Sequence, residues 1–192
     1  MSDEVGSVLK MRWERLLFAH WRVPAEPLAA RLPDGLDLDT FDGSAWLGLV
    51  PFDMTIGLRG LPYFGRLSHF PEINVRTYVR HEGVPGVWFF SLDVPDALPV
   101  WFARTLFHLP YFKAAVSWET EPDGSTRYRL DHPARTADLR YRPSGEPFTA
   151  APGSLDDFLT GRYRLFSANP GGQVFCGKIA HAPWPLQRDR KS

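Results

Sequence analysis

The chain has 192 residues, 44% of them hydrophobic and 23% charged, enough for one domain with a sizeable core. Lys plus Arg and Asp plus Glu are both 22, and this zero net charge argues against nucleic acid or an anionic membrane as the main partner. The one cysteine, Cys176, excludes an internal disulfide and a thiolate metal site, no apolar run approaches the roughly 20 residues of a membrane span, and the first residues lack the basic and apolar regions of a signal peptide, so a single cytoplasmic domain over residues 1–192 is expected.

Eighteen prolines and sixteen glycines are scattered along the chain, as many short strands joined by turns require. Arg15–Val23 is predicted as a strand. Pro24 opens a helix over Ala25–Leu32, and Pro33-Asp34-Gly35 is a turn. Leu36–Phe41 and Ala45–Met54 are predicted strands joined at Asp42-Gly43, a strong hairpin signal. Residues 55–68, with Gly57, Gly60, Pro62 and Gly65, read as a long loop. Strand 72–80 follows, then the turn His81–Pro85 and a buried strand over Val87–Leu92. Leu98, Trp101, Phe102, Thr105 and Leu106 recur at helical spacing and predict an amphipathic helix over 96–108. Tyr111–Thr120 and Thr126–Asp131 pair through Glu121–Ser125, and Ala137–Arg142 is a further strand. Ser154 and Asp157 have the spacing of a capping box with Asp in place of Glu, opening a helix over 155–159. Arg162–Phe166 and Val174–Ala180 form a last hairpin around Asn169–Gly172. About ten strands and three short helices imply a strongly curved or closed sheet. The expected class is α+β, mostly β.

The segment His69–Arg80 is the most informative. Strand side chains alternate, so Ile73, Val75 and Val79 take one face while Glu72, Asn74, Arg76 and Tyr78 take the other. In a chain with 14% aromatic residues, that polar face is a candidate lining for an apolar-walled pocket, with Trp46, Trp88 and Phe90 as walls. Glu72 and Arg76 are separated by about 13 Å along the strand and do not pair directly. In Tyr111–Trp118, the same alternation puts Lys113 on the face of Tyr111. A lysine inside an apolar cavity loses its proton readily and can attack a carbonyl; on the surface it is a solvated cation.

Standard motifs are absent. No Gly-x-Gly-x-x-Gly, Walker A loop or Gly-x-Ser-x-Gly elbow occurs, so no nucleotide cofactor is expected. The six histidines show no metal-ligating spacing, no metal is expected, and His20, beside Trp21, reads as a packing residue.

The stretches Leu17–Trp21, Leu32–Leu36, Phe41–Trp46, Phe70–Tyr78, Gly86–Asp93 and Pro183–Leu186 resemble the YqjF-like domain of unknown function over nearly the whole chain. The order of strand, short helix, Leu32-Pro33, hairpin, Glu-bearing strand and helix ending before Pro110 also resembles, more distantly, acetoacetate decarboxylase. That resemblance implies a closed β-barrel whose interior holds the site. It places the enzyme's Tyr-x-Glu glutamate on Glu72 and its Arg-Glu-x-x-x-x-Pro-Lys-Lys segment on Arg104–Phe112. Arg104 and Pro110 match, but the two lysines are replaced by Tyr111 and Phe112. The early active-site arginine falls on Glu14, with Arg12 and Arg15 adjacent.

Schiff-base decarboxylation is therefore not expected. The leading expectation is an internal pocket for a small carboxylate-bearing molecule, with Arg76, Arg104, Tyr111, Asn74 and Tyr78 as ligand-binding residues and Glu72 and Lys113 as candidate catalytic groups. The alternatives are a lysine-dependent lyase using Lys113 and a non-catalytic scaffold or ligand sensor. The expected partner is a small molecule, with self-association left open.

Overall fold

The structure, a computed structural model, describes residues 9–58, 69–95, 108–179 and 181–189. In chain order the strands are β1 (Leu9–Glu14), β2 (Ala19–Val23), β3 (Asp37–Leu38), β4 (Ala45–Leu58), β5 (His69–His81), β6 (Val84–Val94), β7 (Tyr111–Lys113), β8 (Ala115–Thr120), β9 (Thr126–His132), β10 (Arg135–Tyr141), β11 (Pro143–Phe148), β12 (Arg164–Ala168), β13 (Val174–Lys178) and β14 (Leu186–Asp189). Helix α1 is Ala25–Ala29 and α2 is Leu155–Thr160. A nine-stranded sheet runs β1-β4-β5-β6-β12-β13, with β2 also on β4, β3 on β5 and β7 on β6. A three-stranded sheet, β10-β9-β8, and a ribbon of β11 and β14 complete the architecture.

The mostly-β class matches the sequence reading, but the closed barrel does not appear. Among the described residues no strand pairing joins β1 to β13, so the large sheet stays open. The predicted strand 15–23 is displaced for a local reason. Arg15 adopts a positive φ of 52°, which ends β1 and offsets β2, and the two strands pair with successive halves of β4. The bend is held from the small sheet. The Tyr128 and Tyr141 hydroxyls donate to the Arg15 carbonyl at 3.2 and 2.5 Å, and the Arg15 guanidinium lies 3.9 Å from the Trp118 ring centroid.

Asp42 and Gly43 form the expected turn, with φ of 49° and 70°, yet β3 pairs with β5 and not with β4. Residues 55–58, predicted as loop, extend β4. The predicted helix 96–108 lies outside the described residues except for His108, whose φ of 51° is not helical. The predicted strand 111–120 breaks at Ala114, whose N–H donates to the Val94 carbonyl at 2.9 Å. The chain crosses between sheets there, since β7 pairs parallel with β6 and β8 pairs antiparallel with β9. Strands β1, β11 and β14 were not expected from the sequence.

Opposed residues on neighbouring strands share a face, so the register shows what each side of the large sheet meets. Ile73 packs with Ala114, Val116, Tyr128, Leu130 and Tyr141, the core between the two sheets. Asp93, opposite Ile73, also points there and is fully buried. Arg135 of β10 closes on it with both ends of its guanidinium, Nε to Oδ2 at 3.0 Å and Nη2 to Oδ1, and stacks 4.7 Å from the Phe112 centroid. Removing one member of a buried pair strands the other charge without solvent. Arg135→Ala should therefore cost about 3–5 kcal/mol in urea unfolding, and adding Asp93→Asn should recover part of the loss. Arg129→Ala, which breaks the half-exposed pair with Glu119, should cost less than about 1 kcal/mol.

Candidate functional site

The other face of β5 carries the polar ladder. Glu72, Asn74, Arg76 and Tyr78 lie on one face, as the alternation predicts. Across β4, Phe52, Val50 and Gly48 oppose Glu72, Asn74 and Arg76, and across β6, Leu92, Phe89 and Val87 oppose Asn74, Arg76 and Tyr78. The apolar walls are Trp46, Val87, Phe89 and Leu92 on one side and Val50, Phe52, Met54, Phe70 and Val94 on the other. The expected walls Trp88 and Phe90 need correction. A bulge in β6 between the partners of Val75 and Arg76 shifts the alternation by one residue, so Phe89 faces the ladder, while Trp88 packs with Leu36, Val79 and Phe166.

At one end of the ladder sits Glu72, 2% exposed, with the Tyr111 hydroxyl donating to Oε2 at 3.0 Å. Burial pushes its carboxyl up to about 8, against the pull of hydrogen bonds from Tyr111 and Asn74, and the Asp93 charge adds to the rise. Tyr111, which stands where the decarboxylase resemblance puts a lysine, has its phenol driven well above its ordinary range by burial and by Glu72. By that resemblance a neutral phenol, bonded to a neutral acid, stands where imine chemistry needs an amine.

At the other end a cation is held without an anion. Arg76 Nη2 donates to the Leu159 carbonyl at 3.1 Å, its Nε has no partner, and no carboxylate among the described residues pairs with it. The guanidinium lies 5.4 Å from the Phe18 centroid and 5.8 Å from that of Tyr78. The Tyr78 hydroxyl donates to the same Leu159 carbonyl at 2.7 Å and sits 2.6 Å from His20 Nε2. Burial, and then the Arg76 charge, depress His20 to about 3, so its imidazole is neutral. Gly48, opposite both His20 and Arg76, makes the approach feasible. A Cβ there would lie 3.0 Å from His20 Nε2 and 3.3 Å from Arg76 Cγ.

Helix α2 delivers the shared carbonyl. Ser154 Oγ accepts from Asp157 N at 3.2 Å, while Asp157 Oδ2 accepts from Gly153 N at 2.9 Å, a capping box whose acidic arm reaches one residue further back than expected. Arg162 fixes the other end, donating to the Phe158 carbonyl and pairing with buried Asp39 at 2.8 Å. On the opposite flank, Trp184 of the Pro183-Trp-Pro motif packs on Phe18 at 6.0 Å, and Phe18 stacks on His20 at 6.3 Å.

Sequence reasoning missed His20, Gly48 and Leu159. Only the pairing of β2 with β4 puts His20 beside the ladder, and a main-chain carbonyl carries no sequence signal. Lys113 is also corrected: it is exposed, beside Pro95, Asp131 and Pro133, as the last residue of β7, where the chain leaves the large sheet for the small one. Arg104 lies outside the described residues. No group of three or more His, Cys, Asp or Glu able to hold a metal occurs among the described residues, and no described helix is long and apolar enough to cross a membrane.

Residues 10–191 match the DUF2071 family model, described as an uncharacterised conserved protein. The chain belongs to this family. It is 42% identical over 183 residues to the uncharacterised protein YqjF of Bacillus subtilis, covering 94% of this chain and 75% of that protein. Its fold is similar to that of acetoacetate decarboxylase from Legionella pneumophila, with TM-score 0.61, 16% identity and coverage of 86% of this chain and 62% of that one. An acetoacetate decarboxylase-like enzyme from Sphingomonas wittichii gives TM-score 0.61 at 16% identity, covering 90% and 71%. The enduracididine biosynthesis enzyme MppR, complexed with pyruvate, gives 0.58 at 14% identity, covering 90% and 80%. At these identities the likeness is one of fold.

The two shifted groups make opposite demands on stability. Glu72 binds its proton more tightly folded than unfolded, so its contribution is complete below pH 4.5 and is lost as pH rises through about 8. His20 contributes above pH 6.5 and loses that contribution as pH falls toward about 3. The slopes oppose each other between pH 4.5 and 6.5, leaving a net decline between pH 6.5 and 8. Urea unfolding should show a loss of about 2 kcal/mol over that upper window, at ~1.4 kcal/mol per unit. Glu72→Gln should flatten it and unmask the rise due to His20 at lower pH.

Proposed function

We propose that this chain is a cytoplasmic protein that binds a small carboxylate-bearing molecule on the ladder face, with Arg76 as the anion anchor. The observation that carries the reading is the Arg76 guanidinium: partly buried among aromatic rings, with an unpartnered Nε and no described carboxylate beside it. Removing a cation from water is costly unless an anion arrives, and a carboxylate is the planar partner that a guanidinium binds in a forked pair. His20 and Tyr78 flank that position, and Glu72, held protonated, presents no competing charge. The fold is shared with MppR, which has been solved with pyruvate, itself a small carboxylate. Binding need not entail imine formation. Lys113 and Lys178, the lysines whose side chains are described, are both exposed, and Tyr111 fills the interior position.

A thermal-shift series with small carboxylic and keto acids tests the reading. A saturating rise in Tm is expected for at least one acid, since a ligand at 100 times its Kd stabilises the native state by about 2.7 kcal/mol. Arg76→Gln should weaken that acid at least tenfold, whereas Arg129→Gln should leave it unchanged. A flat response across the series would remove the proposal. Incubation with acetoacetate or pyruvate and sodium borohydride should leave the intact mass unchanged, and an adduct mapped to Lys113 would restore the lyase reading.

A further inference from the structure

The ladder face contains a second pair of unmet demands, and they differ in kind from that of Arg76. Asn74 is 3% exposed, and its Oδ1 has no hydrogen-bond partner. The Asn74 side chain lies beside the Glu72 carboxyl, and with its amide N–H turned toward that group the unsatisfied atom is an acceptor, not a donor. Glu72 receives the Tyr111 hydroxyl on Oε2, and as a neutral acid it also has its own O–H to give. Between Arg76 and Glu72, therefore, the strand presents one buried acceptor beside one buried acid. Leaving a buried polar atom unpaired costs stability, so an occupant that satisfies both is selected.

The choice of group follows from hydrogen-bond chemistry. A keto oxygen only accepts; it would take the Glu72 proton but leave Asn74 Oδ1 unpaired. A methylene does neither. A hydroxyl donates to Asn74 Oδ1 and accepts from Glu72 at once. Asn74 and Arg76 are two residues apart on one strand face, about 7 Å along the strand, and the long Arg76 side chain can lean toward its neighbour. That spacing suits a carboxylate and a hydroxyl separated by one or two carbons. Resting on the carboxylate-binding reading above, we infer that the ligand is a small hydroxy acid, its carboxylate on Arg76 and its hydroxyl between Asn74 and Glu72, in preference to the matching keto or unsubstituted acid.

Isothermal titration calorimetry with two matched sets tests this: lactate, pyruvate and propionate, then 3-hydroxybutyrate, acetoacetate and butyrate. In at least one set the hydroxy acid should bind at least tenfold more tightly than both its analogues. Asn74→Leu, which keeps the volume and removes the acceptor, should reduce that preference to under threefold while leaving the unsubstituted acid's affinity in place. Absence of that preference from every set that binds, whether by equal affinity or by preference for the keto acid, overturns the inference and leaves Arg76 as the anchor. If no acid binds, the anchor reading falls with it. Should Asn74→Leu not fold, the wild-type ratios decide the question by themselves.

Discussion

The arrangement depends on one constraint: β5 lies between β4 and β6 in the large sheet, with the small sheet packed on one of its faces and α2 on the other. A strand in that position normally carries apolar residues on both sides, because a buried polar group must find a partner. This one carries Ile73 toward the inter-sheet core and Glu72, Asn74, Arg76 and Tyr78 on the opposite side. Everything around the ladder is a response to that. Tyr111 comes from β7 to meet Glu72, α2 brings the Leu159 carbonyl to Arg76 and Tyr78, and Gly48 clears room for His20.

The response is incomplete in a specific way. Tyr78 has two partners and Glu72 at least one, but Arg76 Nε, Asn74 Oδ1 and Trp46 Nε1 have none. Each such vacancy costs stability, and a ligand that fills it recovers that cost. On the inter-sheet side Asp93 is engaged at both oxygens by Arg135, while Ser91 Oγ and Asp53 Oδ1 there also lack a partner.

The fold shared with acetoacetate decarboxylase and MppR supplies a frame, and the chemistry on it differs. Where the resemblance expects paired lysines, Tyr111 donates a hydrogen bond to an acid held neutral. By that resemblance a hydrogen-bonding group stands in place of a nucleophile, in keeping with the binding reading proposed above.

The sequence by itself determined the polar and apolar faces of 72–78, the positive-φ turn at Asp42-Gly43 and the short helix begun by Ser154. Each rests on residues adjacent in the chain, where side-chain period, turn chemistry or residue identity acts locally. Tertiary structure alone decided that Phe89 rather than Phe90 faces the ladder, because a bulge is a property of two paired strands. It brought His20 beside Tyr78 through the β2–β4 register, and it left Lys113 exposed at the end of β7, where the chain passes between sheets. It also left the large sheet open, among the described residues, where a barrel was expected. Register, crossovers and closure are set by contacts between segments far apart in sequence, and a period-2 pattern is the same whichever partner the strand finds.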